Sequence, residues 1–489
     1  MKLHLIRIGL VFLAIGMIQC DSRKDTWTKE IRYTGTNSSP RPVDLNNDGV
    51  LDIVMGAGGE EFDTTSYAVI ALDGKDGSIL WYVPGHNQMV GSAVFKDITG
   101  DHVPDVFIGG RSAQFYAING ATGQILWQYL PEDYNLDNVK TDSSLLNFFN
   151  PQFIPDQNGD GLEDLLTTFG GLVQAPPDEM TRPPGRIIVL DTKQGHILKD
   201  EPAPDGKEIY TSPLVYDFGE GLSIVFGTGG ETIPGNLYLL SIRDLFESGM
   251  DNVRLVDSSL NKGFIAPPII IDITLDNLKD LVYTRMDGTM SALDGKDFSK
   301  IWSTQIHPNC EVESMPAPLY FDEDSIPDFF GSYNIGTWPK NDTTIHAILS
   351  GKTGEELFRD TLGILQFSSP IVLDYNEDSY GDIIYHTNVK FHTGLYYLYK
   401  NQLVIYDGRT GKRTGLDSVK YGKNLGSTPL VTDLDNDNKA DVVYAFMNQN
   451  DQLITYKHLI IKRLELDVSP GDNPWGSYMG TNYSGVYSD

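Results

Sequence analysis

A nine-residue acidic phrase recurs down this chain and constrains its fold more than any other feature. It reads DLNNDGVLD from Asp44, DITGDHVPD from Asp97, DQNGDGLED from Asp156, DITLDNLKD from Asp272, DYNEDSYGD from Asp374 and DLDNDNKAD from Asp433. A seventh copy, YFDEDSIPD from Tyr320, has lost its first Asp, and an eighth, from Asp217, keeps only that one. Successive starts lie 48 to 61 residues apart and span residues 35–467. A repeat of that length means one supersecondary unit stacked on copies of itself, not one large central core.

Each phrase sits between apolar, β-rich runs, such as STPLVTD before the last copy and ADVVYAF after it. That is the pattern of a hairpin closed by a turn. A second phrase follows, as in ALDGKDGSILW and INGATGQILW, and reads as two short strands around an Asp/Gly turn. Two hairpins make four strands per unit. Eight units predict an all-β, eight-bladed β-propeller of four-stranded antiparallel blades, its ring closed by a terminal strand. The segment TWTKEIRY is expected to supply that strand, and the tail PWGSYMGTNYSGVYSD is the alternative. Trp81, Trp127 and Trp302 end their fourth strands, where a large ring can wedge between blades.

The first residues read as processing signal. Lys2 and Arg7 precede an apolar run from Ile8 to Ile18, too short to span a bilayer, which needs about 18 apolar residues. Cys20 closes the run and resembles the acylated cysteine of bacterial lipoproteins. The expected division is a signal at 1–19, a tether and possible closing strand at 20–34, the propeller at 35–467 and a segment packed on it at 468–489. The resemblance places the chain on the bacterial outer membrane, held by lipid. The only other cysteine, Cys310, is expected to be an unpaired thiol. The formal net charge of −30 argues against nucleic acid, because phosphate binding needs clustered Lys and Arg.

The acidic phrases place side-chain oxygens at positions 1, 3, 5 and 9, the donor set a hard cation such as Ca²⁺ takes when one tight loop wraps it. The candidate ligands are Asp44, Asn46, Asp48 and Asp52; Asp97, Thr99, Asp101 and Asp105; Asp156, Asn158, Asp160 and Asp164; and Asp272, Thr274, Asp276 and Asp280. Further along they are Asp322, Asp324 and Asp328; Asp374, Asn376, Asp378 and Asp382; and Asp433, Asp435, Asp437 and Asp441. Up to seven structural calcium ions are expected. Position 6 must take an unusual backbone angle, which suits Gly49 and Gly161 best. The first, third and last loops therefore rank highest as sites.

These phrases resemble the FG-GAP or VCBS-type calcium loops of integrin-like propellers, and ALDGKDGSILW is similar to the repeat of quinoprotein-like propellers. The resemblance covers nearly the whole chain after Cys20. It implies a calcium-stabilised propeller similar to envelope lipoprotein propellers, including the propeller subunit of the outer-membrane β-barrel assembly machine. Quinoprotein dehydrogenases of this shape carry their quinone over an adjacent cysteine pair, which Cys20 and Cys310 do not form.

In a four-stranded blade the acidic turns and the Asp/Gly turns share one face. The insertions at 56–66, 170–185, 331–344 and 386–402, with the interblade segments 129–149 and 303–316, share the other. Lengthened loops on one face of a rigid scaffold are where function concentrates. Tyr134, Phe148, Phe149, Tyr333, Trp338, His386, Phe391 and His392 are the candidate binding residues there. The expected function is a non-enzymatic binding or scaffold module for an envelope protein or glycan. The alternative is a calcium-bearing polysaccharide lyase, which needs His386, His392, Arg182, Arg186 or Lys340 to converge.

Overall fold

A computed structural model describes residues 23–131, 142, 144–172, 175–176, 179–392, 397–448 and 457–488. Cys20 and Tyr134, two of the residues singled out above, lie outside them. The chain forms eight antiparallel sheets arranged as the blades of a propeller. Blade one shows the plan: Arg41–Val43, Asp52–Gly56, Thr65–Leu72 and Ile79–Gly85 pair in chain order. In blades three and six the first strand is split in two, and in blade seven the last one is. Blade four departs most. Helix Ile242–Ser248, capped by Ser241, joins its third and fourth strands where other blades have an Asp/Gly turn. Among the described residues no helix is long and apolar enough to cross a membrane.

The ring closes with the N-terminal strand. Arg23–Arg32 pairs antiparallel with His458–Leu466 and forms the outer strand of blade eight. One contact repeats around the seams. The indole Nε1 of Trp81, on the outer strand of blade one, donates to Gly120 O in blade two at 2.6 Å. Trp127 donates to Thr192 O at 2.9 Å, Trp302 to Gly351 O at 2.7 Å, and Trp27 to Gly74 O at 2.8 Å. The following turn presses a glycine on each ring: Gly77, at φ +72°, would place a Cβ 2.7 Å from Trp27, so a side chain there would displace the indole. Apolar residues at alternate strand positions fill the spaces between blades, as where Val54, Ala71 and Val83 meet Val106 and Ile118.

The first strands of blades three and four, six and seven, and seven and eight contact one another, the inner side of the ring. The C-terminal segment runs along that inner side. Val372 N donates to Trp475 O at 3.0 Å, Val431 N to Gly476 O at 2.7 Å and Ile270 N to Gly485 O at 2.9 Å. Arg41, 1% exposed, reaches Ser477 Oγ at 3.2 Å and stacks 3.7 Å from the Tyr483 ring centre. Trp475 and Met479 are buried with the core of blades four to seven. The tail therefore plugs the channel, tying first strands of blades one, five, seven and eight, while the closing strand comes from the other terminus.

Candidate functional site

The acidic turns hold themselves together by backbone hydrogen bonds. The Asp at position 9 is the brace: Asp52 Oδ2 accepts Leu45 N at 2.9 Å and its Oδ1 accepts Gly74 N at 3.1 Å. Asp105, Asp280, Asp328 and Asp382 do the same, each joining its own turn to the glycine of the next hairpin. Burial pushes the carboxyls of Asp52, Asp328 and Asp382 up to about 6 against those amide bonds. Position 1 accepts the position 6 amide, as Asp44 does from Gly49 at 3.1 Å and Asp156 from Gly161 at 2.8 Å. All seven position 6 residues have positive φ, from Asn438 at 64° to Gly161 at 90°. The tight wrap read from the sequence is therefore present in the seven registered copies.

The last turn differs. Asp433, Asp435 and Asp441 bring carboxylate oxygens within 4.8 Å of one another. Arg463 reaches into the group, with Nε 2.7 Å from Asp441 Oδ1 and Nη2 2.6 Å from Asp435 Oδ2. A guanidinium thus already neutralises a loop whose spacing ranks among the best for an ion. Asp44 Oδ1 in the first turn and Asp164 Oδ1 in the third are buried with no partner, oxygens still open to a cation with no guanidinium bonded to their carboxylates; Asp435 Oδ1 in the last turn is also unpartnered, but its Oδ2 is held by Arg463.

The opposite mouth carries a cavity of about 770 Å³. Its wall is built from the blade insertions and the interblade segments, and Tyr478 of the plug belongs to it. Two buried ion pairs fix the rim. Glu208, 1% exposed, takes Arg182 Nη1 at 3.2 and 3.3 Å, while Arg182 Nε and Nη2 bond Glu179 O and Pro176 O. Arg182 thereby ties Pro176 and Glu179 to Glu208. Glu311, 0% exposed, takes Lys262 Nζ on one oxygen at 2.5 Å and Trp338 N on the other at 2.7 Å, which holds the 331–344 insertion. Trp338 packs edge-on against Phe367 with centroids 5.4 Å apart, and Phe149 meets Tyr210 at 6.1 Å.

Of the candidate binding residues, Phe149 and Trp338 line this cavity. Three others are corrected to the interior: Phe148, Tyr333 and His386 are each 0% exposed. Alternation along their strands turns them into the blade packing, a direction that loop-level reading does not resolve. Phe391 and His392 sit at the tip of the hairpin Asp382–Tyr406, away from the cavity wall. Of the lyase candidates only Arg182 reaches the cavity, where Glu208 occupies it. Arg186 pairs with Asp200. Cys310 is free and buried, and burial pushes its thiol up to about 12.

The sequence reading missed Glu208, Lys262 and Glu311, although a signal was there. Each stands five residues before a proline that opens a blade, in EIYTSP, KGFIAP and EVESMP. Equivalent places in three successive interblade segments thus put a charged ring at one mouth.

These features define a class: an eight-bladed β-propeller, plugged by its own C-terminus and open in a rimmed cavity at one mouth. A model of the FAM234A/B β-propeller family matches residues 41–174. The chain is 24% identical to protein FAM234B of Gallus gallus over 390 residues, covering 72% of this chain and 57% of that protein. It is 32% identical to protein FAM234A of Mus musculus over 160 residues, 32% of this chain and 25% of that protein. It thus spans little more than half of the FAM234B relative and a quarter of the FAM234A one. Among solved structures, a europium-containing methanol dehydrogenase superposes with a TM-score of 0.58 at 12% identity, covering 92% of this chain and 94% of that one. At that identity the likeness is one of fold.

Proposed function

We propose that this chain is a non-enzymatic binding propeller, an exported and membrane-tethered scaffold that takes a protein or glycan partner at its cavity mouth. The observation that supports this best is the asymmetry of the two mouths. One face consists of acidic turns whose polar groups bond one another, and the other spends buried ion pairs on holding parts of two long insertions around a recess. Calcium belongs to the proposal as a clamp on the acidic face: the loops place alternate oxygens in a tight wrap, and the orphaned Asp44 Oδ1 is a ready ligand. The matched relatives are chicken and mouse proteins, so the tether is proposed without the bacterial outer membrane.

The test is capture of the tagged full chain's partner from detergent-solubilised native membranes, with calcium and with chelator, followed by mass spectrometry. Phe149→Glu at the cavity mouth is compared with Lys75→Glu on the acidic face. A stoichiometric partner lost in the first and kept in the second is the expected result. Protein recovered alone in every condition would overturn the scaffold reading and bring polysaccharide lyase assays forward.

A further inference from the structure

The cavity wall and the ion pairs behind it carry more acidic than basic side chains. Glu208 is taken up by Arg182, and Glu311 by Lys262, Trp338 N and Asn341 Nδ2. Glu61 pairs with Arg111 at 2.5 Å. Glu60, Glu231 and Glu313 remain, all lining the cavity with no ion pair of their own among the described residues; Glu60 is exposed, and Glu231 and Glu313 are the half-buried two. Lys262 feels both of them but is bonded to Glu311. Burial holds the Glu231 carboxyl above its usual range, with the Glu311 charge adding to it. The Glu313 carboxyl is held well above that range, by burial first and by Glu231 and Glu311 next. A cation entering between the two would relieve that repulsion.

The frame around these acids is aromatic. Going round the ring, Tyr210 precedes Glu231, and Trp338 with Phe367 follow Glu313, all of them on the cavity wall. Aromatic rings and carboxylates on one cavity wall are the kind of surroundings that hold an ammonium or guanidinium group, since π-electrons attract the charge as its water is stripped. A hard divalent ion asks for six to eight oxygens, and among the described residues the carboxylate trio that converges is Asp433, Asp435 and Asp441 on the far face. An anion would meet the excess of carboxylates.

We propose that the cavity is a binding site for an organic cation, an alkylammonium or guanidinium group seated between Glu231 and Glu313 and covered by Tyr210 and Trp338. This deepens the binding-propeller reading and rests on the cavity mouth being the working face. A volume of about 770 Å³ admits either a free amine or the basic side chain of a polypeptide.

The experiment is calorimetric titration of the full chain with butylammonium, with arginine amide and with a short capped peptide bearing one lysine. Butyramide serves as the neutral analogue and calcium chloride as the divalent control. The cations are expected to bind and butyramide not to, and Glu313→Gln is expected to weaken binding about tenfold or more. Peptide binding tighter than that of the free amine marks a polypeptide source, and the reverse marks a small molecule. Should Glu313→Gln fail to fold, Trp338→Leu and the loss of binding with added salt carry the same test. Equal binding of butyramide, indifference to Glu313→Gln, or calcium displacing the amines would each overturn the inference. Loss of partner capture with amine binding intact would strike the scaffold reading alone.

Discussion

The indole of Trp27 donates to the carbonyl oxygen of Gly74 across 47 residues, and with that bond the N-terminal strand joins the last blade to the first. The same seam contact is made by Trp81, Trp127 and Trp302 between blades that the chain already connects. Residues 33–40 lead from the strand of Trp27 into blade one, so the junction that no covalent link backs up lies inside blade eight, where Arg23–Arg32 is held to His458–Leu466 by pairing alone. Trp27→Ala is expected to destabilise the fold by about 3–5 kcal/mol, the usual cost of deleting a buried tryptophan. Trp27→Phe keeps most of the packing and should cost nearer about 1 kcal/mol, the net worth of the hydrogen bond. Denaturant midpoints check both, and an unchanged midpoint for Trp27→Ala would show that the ring does not depend on this seam.

His386 gives the fold a sensitivity to acid. It is fully buried beside Tyr444, and neither ring nitrogen has a hydrogen-bond partner. Burial lowers its pKa to about 3. The unfolded chain takes up a proton near pH 6.5 that the native state refuses, so this histidine's contribution is intact above that pH and falls away below it. At pH 5 the loss amounts to about 2 kcal/mol. His386→Leu should therefore be more stable than the parent at neutral pH, and its advantage should widen by that amount on going to pH 5. His346, lowered to about 4 by burial, adds a similar slope that persists in the variant. A constant gap between parent and variant across this pH range would refute the assignment.

How much of this was legible in the sequence differs by level. The acidic phrase and its partner hairpin announce blades because both depend on local chemistry: Asp, Asn and Gly at fixed turn positions, alternating apolar residues between them. Even the position 6 backbone angle could be read, since it follows from the turn itself. The closing strand was legible as an expectation because TWTKEIRY precedes the first unit while the last unit lacks a final strand of its own. Tyr333, Phe148 and His386 were misplaced because which side of a strand a residue faces depends on pairing register, and a slip of one reverses it. The cavity rim was hidden for another reason. Glu208 meets Arg182, and Lys262 meets Glu311 across 49 residues, so each partner sits in a different segment and neither shows a motif by itself.

Calcium should stabilise the acidic face unevenly. Were one ion present at a hundredfold excess over its Kd, it would contribute about 2.7 kcal/mol. Asp44→Asn and Asp156→Asn should each reduce the rise in Tm that calcium produces, because nothing in the first and third turns replaces the lost charge. Asp433→Asn should reduce it less, since Arg463 already answers the carboxylates of the last turn. Thermal melts with calcium and with chelator measure the difference. A Tm indifferent to millimolar calcium would remove the clamp from the proposal.

The channel plug makes the sharpest prediction, because its bonds are to single backbone amides. Val372, Val431 and Ile270 lie in blades seven, eight and five, and each donates to a carbonyl of the tail, those of Trp475, Gly476 and Gly485. Trp475, 1% exposed, is the side chain that anchors the tail. Trp475→Ala should cost about 3–5 kcal/mol. More specifically, the amides of Val372, Val431 and Ile270 should lose hydrogen-exchange protection together when residues 468–489 are removed, although they are far apart in sequence. The amide of Gly77 bonds Asp73 O at 2.8 Å within its own turn, so its protection should fall only as far as global stability does. If the three channel amides followed Gly77 rather than one another, the tail would be a passenger in the channel and the ring would stand without it.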